Sequence, residues 1–425
     1  MKRIYVCLLV AVALLNSTTL LSAATPMGNP YAGGAFEKSF NLELFEQNIR
    51  KALDGKCIGY AYAINMNGQL KKSGANGYAV LKRDLPKDAQ VPDPKGVPQS
   101  ASKRMNIASI TKTITATTVL KVLQDKLVPD DKTLTIESKV AKFLPASWDK
   151  DNGISELTFK ELLSQLSGMN TDVGGTTIDS LKAWIAAGVT RPKDDYHYIN
   201  ANLAIFRVIM PMMLMQPSER KKFSDLAASD LKSFDQQVSA LYKKHVNDLV
   251  LKPMGIQNAD CVTPNEPYPT RFYRYPDSGF PSTLTGDWTL KTGGGGWYLS
   301  AIDLARFLAN LRYNDNILTP ATRRIMNAFH LGWMQKVEGE HGEYYSHGGD
   351  LFYNPKVNQP DEINIDDTVA IPVGRNGMTG CIMDYPNGTQ VALLVNSLGT
   401  YQSKRGLLRD AFDNAWVLNQ KVVNP

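Results

Sequence analysis

The run Met105-Asn-Ile-Ala-Ser109-Ile-Thr-Lys112-Thr-Ile-Thr-Ala116 is the most informative stretch of this chain. Residues three apart on a helix share a face, so the Lys112 amine can lie over the Ser109 hydroxyl. A lysine in that place can act as the base that a serine nucleophile needs. Residues 113–120 are small or apolar and carry no charge, which predicts a buried helix whose first turn faces a cavity. We therefore predict that Ser109 and Lys112 are catalytic.

The same Ser-x-x-Lys spacing occurs at four other places, so spacing alone does not identify the site. These four pairs are Ser100/Lys103, Ser147/Lys150, Ser218/Lys221 and Ser229/Lys232. All four lie among Pro, Lys, Arg and Asp, a composition typical of loops and surface helices. Their context favours an ordinary structural role.

The first 24 residues resemble a secretory signal. Lys2 and Arg3 precede an apolar core over 4–15, and small residues lie just before Thr25. We therefore expect a leader over 1–24 and an exported protein of periplasmic or extracellular location.

Charge and hydropathy limit the choice of partner. The chain has 47 basic and 41 acidic residues, and losing Lys2 and Arg3 leaves 45 against 41, a net charge of +4. That charge is mild and dispersed, so we expect no nucleic-acid partner. The longest apolar run after the leader, 203–215, is shorter than a membrane span and contains Arg207. We expect no transmembrane anchor after signal cleavage.

Cysteines, histidines and acidic clusters give no metal or cofactor pattern. Three cysteines remain after the leader, so at most one disulfide forms, with its pairing open among Cys57, Cys261 and Cys381. The five histidines show no zinc spacing. An acidic cluster fits a solvated loop better than a calcium site, since no EF-hand register fits Asp361, Glu362, Asp366 and Asp367. We expect neither a metal nor an organic cofactor.

The order of the periodic segments predicts an α+β fold. Residues 57–80 read as a hairpin around Asn67-Gly68, and helical periodicity dominates from 109 to about 311. Later segments predict three strands and a terminal helix, at 344–346, 380–384, 390–395 and 403–418. Strands at both ends predict one antiparallel sheet of about five strands flanked by helices, with an inserted all-helical lobe.

This reading divides the chain into lobes. Residues 36–110 and 330–425 form a discontinuous sheet lobe, and residues 111–329 form a mostly helical lobe. The active cleft is expected between the two lobes.

Several segments in the right order resemble the serine β-lactamase and penicillin-binding-protein-like superfamily, in its class C, D,D-peptidase and esterase branch. The Ser109-x-x-Lys112 element is the first of that family's motifs. Further similar segments are Leu157-Thr-Phe-Lys-Glu-Leu-Leu-Ser-Gln-Leu-Ser-Gly-Met169, Lys252-Pro-Met-Gly255 and Gly294-Gly-Gly-Trp-Tyr-Leu-Ser-Ala-Ile-Asp-Leu-Ala-Arg-Phe307. The resemblance implies a β-lactamase/transpeptidase-like fold and an acyl-serine mechanism.

The second motif is Tyr198-Ile-Asn200, where this branch has its Tyr-x-Asn. Tyr385-Pro-Asn387 has the same pattern but reads as a hairpin turn, so we reject it. The resemblance implies that the Tyr198 hydroxyl relays protons to the leaving group and that Asn200 holds Lys112 and the substrate carbonyl side. A cationic Lys112 would lower the pKa of Tyr198, and crowding would lower the pKa of Lys112 itself.

Two segments compete for the third motif. Lys291-Thr-Gly293 has the literal letters, but it precedes the helix that this motif should follow. His347-Gly348-Gly349 lies after that helix and resembles the His-x-Gly variant, so we favour it. By family position, the Asp350 N–H would complete an oxyanion hole with the Ser109 N–H.

These departures from the common motif favour particular substrates. Gly348 replaces a Thr or Ser hydroxyl and His347 replaces a fixed lysine charge, and both usually help to bind a substrate carboxylate. We therefore expect an exported serine hydrolase that acts on small ester or amide substrates through acyl-Ser109, with β-lactam and D-amino-acid peptide bonds still possible. Insertions at 218–245 and 351–375 are expected to set specificity.

Two alternatives remain open. One is a penicillin-binding D,D-carboxypeptidase that acts on peptidoglycan-derived substrates. The other is a non-catalytic β-lactamase-like protein that binds ligands through the same cleft. Acylation of Ser109 would separate an enzyme from a binding protein.

Overall fold

The computed structural model describes residues 38–170, 175–277, 279–334, 336–354, 359–361, 375–399 and 403–418. The leader expected at 1–24 and most of the acidic loop after Asp361 lie outside the described residues. Contacts group the described residues into two compact units, one of residues 38–41 with 416–418 and one of the described residues between 42 and 415.

In the order of the sequence, most of the helices lie between two groups of strands. In the described part of the chain, the α-helices are α1 Leu42–Leu53, α2 Thr111–Gln124, α3 Phe159–Leu163, α4 Ile178–Ala187, α5 Asn200–Ala204, α6 Phe206–Leu214, α7 Pro217–Ser229, α8 Leu231–Val246, α9 Ala301–Tyr313, α10 Pro320–Ala328 and α11 Lys404–Asp413. Shorter turns are the 3₁₀ helices Lys82–Asp84, Ala108–Ile110, Ala141–Phe143, Ile154–Glu156 and Thr289–Lys291 and the π-helix Asn247–Leu251.

The strands come from both parts of the sequence that flank these helices. Over the same described ranges they are β1 Lys38–Phe40, β2 Gly59–Met66, β3 Gln69–Leu81, β4 Gly96–Pro98, β5 Met105–Asn106, β6 Tyr273–Arg274, β7 Tyr298–Leu299, β8 Val337–Gly339, β9 Gly342–Asn354, β10 Gln359–Asp361, β11 Asn376–Asp384, β12 Thr389–Val395, β13 Ser397–Leu398 and β14 Trp416–Leu418.

The main sheet confirms the predicted α+β architecture. Its order is β10-β9-β11-β12-β2-β3-β4, with every neighbour in this path antiparallel. The β2–β3 hairpin turns at Asn67 and Gly68, whose positive φ values of 52° and 76° suit a tight two-residue turn. Every residue of β12 is buried, which shows that this central strand is covered on both faces.

The sheet has more strands than predicted. Within the described residues it contains ten, and the five long ones are β9, β11, β12, β2 and β3. The additional strands are two or three residues long, too short to show alternation in the sequence. The division into sheet and helical lobes stays a prediction.

The C-terminal segment differs from the predicted helix over 403–418. Helix α11 ends at Asp413, and Trp416–Leu418 forms a strand instead. This strand pairs antiparallel with Lys38–Phe40, and the Phe40 and Trp416 rings lie edge to face at 5.6 Å. Aromatic and β-branched residues favour a strand over continuation of the helix.

Helix α2 is buried on all sides, as its composition predicts. Every residue from Thr111 to Leu120 is buried. Its threonines satisfy their hydroxyls locally, since Thr117 and Thr118 donate to the carbonyls of Thr113 and Ile114 at 2.8 and 2.9 Å. The helix can therefore lie in the protein interior without unpaired hydroxyls at these positions.

A buried ion pair joins α6 to α8. The Arg207 guanidinium is fully buried and lies 3.1 Å from the Asp235 carboxylate. Arg207 also donates to the Thr176 carbonyl at 3.0 Å. Removing one member of such a pair leaves the other charge uncompensated in the interior.

We predict that Asp235→Asn, which keeps the shape and removes the charge, lowers the free energy of unfolding by about 3 kcal/mol. The matched control is Asp225→Asn, because Asp225 forms an exposed pair with Lys221. That change should cost less than about 1 kcal/mol. Urea denaturation measures both, and equal losses would contradict the burial argument.

Candidate active site

Ser109 lies in a tight turn that leads into α2. The preceding residue, Ala108, has a positive φ of 49°, which is costly for a residue with a Cβ. The Asn106 Oδ1 holds this turn by accepting from the Ala108 N–H at 2.9 Å. Ser109 is partly exposed while its neighbours Ala108 and Ile110 are buried. The turn therefore presents the serine at the start of a buried helix.

The Lys112 amine lies beside Ser109, as the helical spacing predicts. Its Nζ is 2.8 Å from Ser109 Oγ, 2.8 Å from Asn200 Oδ1 and 2.6 Å from the Gly294 carbonyl oxygen. Asn200 is the first residue of α5, and it contacts Lys112 as the resemblance implies.

The Lys112 environment favours the neutral amine. The side chain is fully buried, and burial holds its pKa well below the usual 10.5. A neutral amine has two N–H bonds, and two of its three neighbours, Asn200 Oδ1 and the Gly294 carbonyl, can only accept. The nitrogen lone pair is then left for the Ser109 O–H. In this arrangement the Lys112 amine is placed where it can accept the serine proton.

Tyr198 also contacts the nucleophile. Its hydroxyl forms a hydrogen bond with Ser109 and lies 3.3 Å from His347 Nε2, and its ring centroid is 4.9 Å from Lys112 Nζ. Burial raises the pKa of Tyr198 above its usual 10. The predicted lowering of this pKa is wrong, because desolvation by burial has the largest effect on the Tyr198 hydroxyl. Tyr198 is therefore a protonated phenol that can donate.

His347 lies on β9 as a neutral imidazole. Its Nδ1 is 2.8 Å from the Gly332 carbonyl oxygen, which fixes the proton on Nδ1. The other nitrogen, Nε2, can then accept from the Tyr198 hydroxyl. Burial lowers the pKa of His347 from 6.5 to about 3. His347 thus supplies an acceptor at neutral pH, where a lysine would supply a charge.

The structure separates the two candidates for the third motif. Lys291 ends a 3₁₀ turn outside the main sheet, and its amine lies 5.9 Å from the Trp288 ring centroid. His347 instead lies on a strand of the main sheet and contacts Tyr198.

Gly349 lets β9 approach the nucleophile turn. A Cβ at this position would lie 2.5 Å from the Ile107 carbonyl oxygen and 3.2 Å from the Ile110 nitrogen. Gly348 is different, since a Cβ there would meet no atom closer than 3.8 Å. The close approach at Gly349 brings the strand that carries Asp350 next to Ser109. The oxyanion role of the Asp350 N–H stays a prediction.

Sequence reasoning missed Arg405. Its Nε donates to Ser346 Oγ at 3.0 Å, and its Cδ is 3.8 Å from the Cβ position of Gly348. Its side chain therefore brings a cation to the strand where the lysine of the common motif is replaced. One signal was available: Lys404 and Arg405 occupy the first turn of α11, where the helix dipole disfavours positive charge.

Gly294 was also missed as a partner of Lys112. A Cβ on Gly294 would lie 3.0 Å from the Asn200 carbonyl oxygen, so the glycine permits a close approach to α5. The glycine run 293–296 is the signal that could have indicated it.

Other predicted features have plain outcomes. Cys57, Cys261 and Cys381 are free thiols. The part of the chain that the structure describes has no group of three or more His, Cys, Asp or Glu placed to hold a metal ion. No helix among the described residues is long and apolar enough to cross a membrane. The 218–245 insertion forms most of α7 and α8, and most of 351–375 lies outside the described residues.

Solved structures share this fold at low sequence identity. A penicillin-binding protein homologue from Pyrococcus abyssi is 16% identical, with a TM-score of 0.59 over 86% of this chain and 75% of that one. A D-stereospecific amidohydrolase from Streptomyces sp. is 15% identical, with a TM-score of 0.57 over 88% and 98%. The hydrolase EstCE1, which has promiscuous acyltransferase activity, is 15% identical, with a TM-score of 0.58 over 87% and 98%.

Sequence comparison gives the family. No curated protein sequence matches the chain significantly. The Beta-lactamase family model, however, matches residues 45–414, a range that contains Ser109, Lys112, Tyr198 and His347. The chain therefore belongs to the Beta-lactamase family, whose fold its structural neighbours share.

Proposed function

We propose that this protein is an exported serine hydrolase that cleaves small ester or amide bonds through an acyl-Ser109 intermediate. The observation that carries the proposal is the buried Lys112 amine, 2.8 Å from Ser109 Oγ, whose other two neighbours, Asn200 Oδ1 and the Gly294 carbonyl oxygen, can only accept. A serine beside a neutral amine can lose its proton as it attacks a carbonyl carbon.

Acylation uses the groups that surround Ser109. Lys112 accepts the Ser109 proton while Oγ bonds to the substrate carbonyl carbon. The backbone N–H groups of Ser109 and Asp350 would stabilise the negative oxygen of the tetrahedral intermediate. Tyr198 donates its proton to the leaving oxygen or nitrogen, and the proton taken up by Lys112 then returns the Tyr198 phenolate to the phenol. Water then attacks the acyl group, with the same groups acting in reverse.

Arg405 favours substrates that carry an anionic group near the scissile bond. The site offers a neutral His347 and no hydroxyl at Gly348, so Arg405 is the cation placed at this strand. This observation supports the second candidate, a D,D-carboxypeptidase acting on peptidoglycan-derived peptides, whose leaving group ends in a carboxylate. A similar fold in a D-stereospecific amidohydrolase agrees with a small-amide substrate.

The proposal of export rests on the expected leader alone. The basic and apolar pattern over 1–24 supports secretion to the periplasm or the extracellular space. A non-catalytic binding role, the remaining alternative, requires that Ser109 does not acylate.

We predict that Lys112→Ala lowers kcat/KM for p-nitrophenyl butyrate by about 10²-fold or more, because Ser109 loses its base. The control is Lys121→Ala on the same helix, since Lys121 lies in the last turn and pairs with Asp125 at the surface. Steady-state kinetics of the three proteins measure the effect. Full turnover by Lys112→Ala would contradict the assignment of the base.

The dependence of kcat/KM on pH tests whether Lys112 is neutral in the active enzyme. Activity requires unprotonated Lys112, so kcat/KM rises with pH through the pKa of Lys112, which burial holds well below 10.5. His347 has a pKa of about 3, so its titration does not change the activity near neutral pH. Tyr198 ionises only above pH 10. We predict a profile that rises to a plateau below pH 10. A rising limb centred near 10.5 would contradict a neutral Lys112.

Arg405 should affect charged substrates selectively. We predict that Arg405→Gln lowers kcat/KM for 3-carboxyphenyl butyrate by about tenfold and changes that for phenyl butyrate little, because only the former has a carboxylate on the leaving group. Arg409→Gln is the matched control, since Arg409 lies on the same helix and pairs with Asp410. Equal losses on both esters would show that Arg405 acts on structure and not on the substrate charge.

A further inference from the structure

A cleft of about 740 Å³ lies outside the site around Ser109. It is bounded by the end of α9, by α10, by the Trp333 loop, by the start of β9 and by the turn between β11 and β12. Its volume is that of a small-molecule site. None of the residues that bound it takes part in the mechanism proposed above.

One wall of the cleft is aromatic. The rings of Trp333 and Tyr345 lie 6.3 Å apart between centroids and are tilted by 42°. The Trp333 indole N–H donates to Asn327 Oδ1 at 3.1 Å, and the Tyr345 hydroxyl donates to Glu343 at 3.1 Å. The Trp333 ring is nearly buried behind the cleft, so the partly exposed Tyr345 ring offers the aromatic surface to a ligand.

Three arginines also line the cleft, and two of them are paired with acidic residues. Arg312 donates to Asp384 and to the Tyr385 carbonyl, both at 2.6 Å. Arg323 pairs with Asp315 at 2.7 Å. The lining acid Glu343 is likewise paired, with Lys336 at 2.7 Å.

Arg324 is the exception among the charged residues of the cleft. It is exposed, and its guanidinium makes no hydrogen bond or ion pair with any residue that the structure describes. Helix α10 contains no acidic residue, so Arg324 has no acidic neighbour within its own helix. The cleft thus combines an aromatic wall with one uncompensated guanidinium, which suits a ligand with a planar ring and an anionic group.

The aromatic wall is joined to the active site by one peptide. Trp333 follows Gly332, whose carbonyl oxygen accepts from His347 Nδ1 and from Thr113 Oγ1, both at 2.8 Å. The Gly332 N–H donates to the Leu163 carbonyl at 2.8 Å. A Cβ on Gly332 would lie 2.3 Å from Ala116 Cβ, so this peptide is closely packed against α2. A ligand that moves or fixes Trp333 would act on the group that orients His347.

We propose that this cleft binds a small molecule with an aromatic ring and an anionic group, and that binding there alters turnover at Ser109 through the Gly332 carbonyl. The ligand contacts Tyr345 with its ring, beside the nearly buried Trp333, and contacts Arg324 with its anion. The effect on turnover rests on the proposed hydrolase function, whereas binding does not.

The binding experiment uses 8-anilinonaphthalene-1-sulfonate, a fluorescent aromatic sulfonate, titrated into the full chain at low salt. Arg324→Glu should weaken binding by about tenfold, which corresponds to the loss of one favourable charge contact. Lys222→Glu is the matched control, because it changes the net charge equally at an exposed position of α7. Unchanged binding by Arg324→Glu, or an equal loss in both variants, would overturn the site.

The coupling experiment measures hydrolysis of p-nitrophenyl butyrate with and without the same probe. Saturating probe should change kcat of both proteins by about fivefold, with the half-maximal probe concentration about tenfold higher for Arg324→Glu. Bound probe without any change in kcat, or simple competition with the ester in both proteins, would overturn the coupling. If the wild-type protein binds the probe through Arg324 but hydrolyses no ester, the proposed function fails, whereas the proposed ligand-binding role of the cleft is supported.

Discussion

The burial of the Lys112 amine against Ser109 is the constraint on which the rest of the site depends. An amine without solvent and without a carboxylate partner is more stable uncharged. Asn200 and Gly294 supply the two acceptors that a neutral amine requires, at 2.8 and 2.6 Å. The wholly buried α2, the glycine run beside it and the first residue of α5 together produce this environment. The fold therefore sets the protonation state of the base.

Burial also favours the uncharged forms of Tyr198 and His347. Burial keeps Tyr198 protonated and His347 uncharged, so the relay between them consists of neutral hydrogen bonds. A protonated phenol is suited to donate to a leaving group, and an imidazole with its proton held on Nδ1 is suited to accept. The positive charge at this strand comes from Arg405 instead. In the proposed mechanism, charge recognition and proton transfer are thus assigned to different residues.

The sequence was sufficient for features that depend on local spacing and on order. Helical spacing predicted the contact between Ser109 and Lys112, and position after α9 favoured His347 over Lys291. The sequence was insufficient where a property of a residue depends on groups that are distant along the chain. The pKa of Tyr198 was predicted with the wrong sign, because its desolvation comes from the folded interior. Arg405 reaches the site from a helix near the C-terminus, and the basic first turn of that helix marks the residue as unusual without indicating which strand it contacts. The strands of two or three residues were likewise not predicted, because each forms by pairing with a neighbouring strand.

Acylation of Ser109 is the central claim, and intact-mass spectrometry tests it most directly. The full chain is mixed with p-nitrophenyl butyrate, quenched in acid within milliseconds to seconds, and digested to locate the adduct. The account predicts one butyryl group on the peptide that contains Ser109 in the wild-type protein and none in Ser109→Ala. Ester hydrolysis at the same rate in both proteins, with no adduct on Ser109, would contradict it.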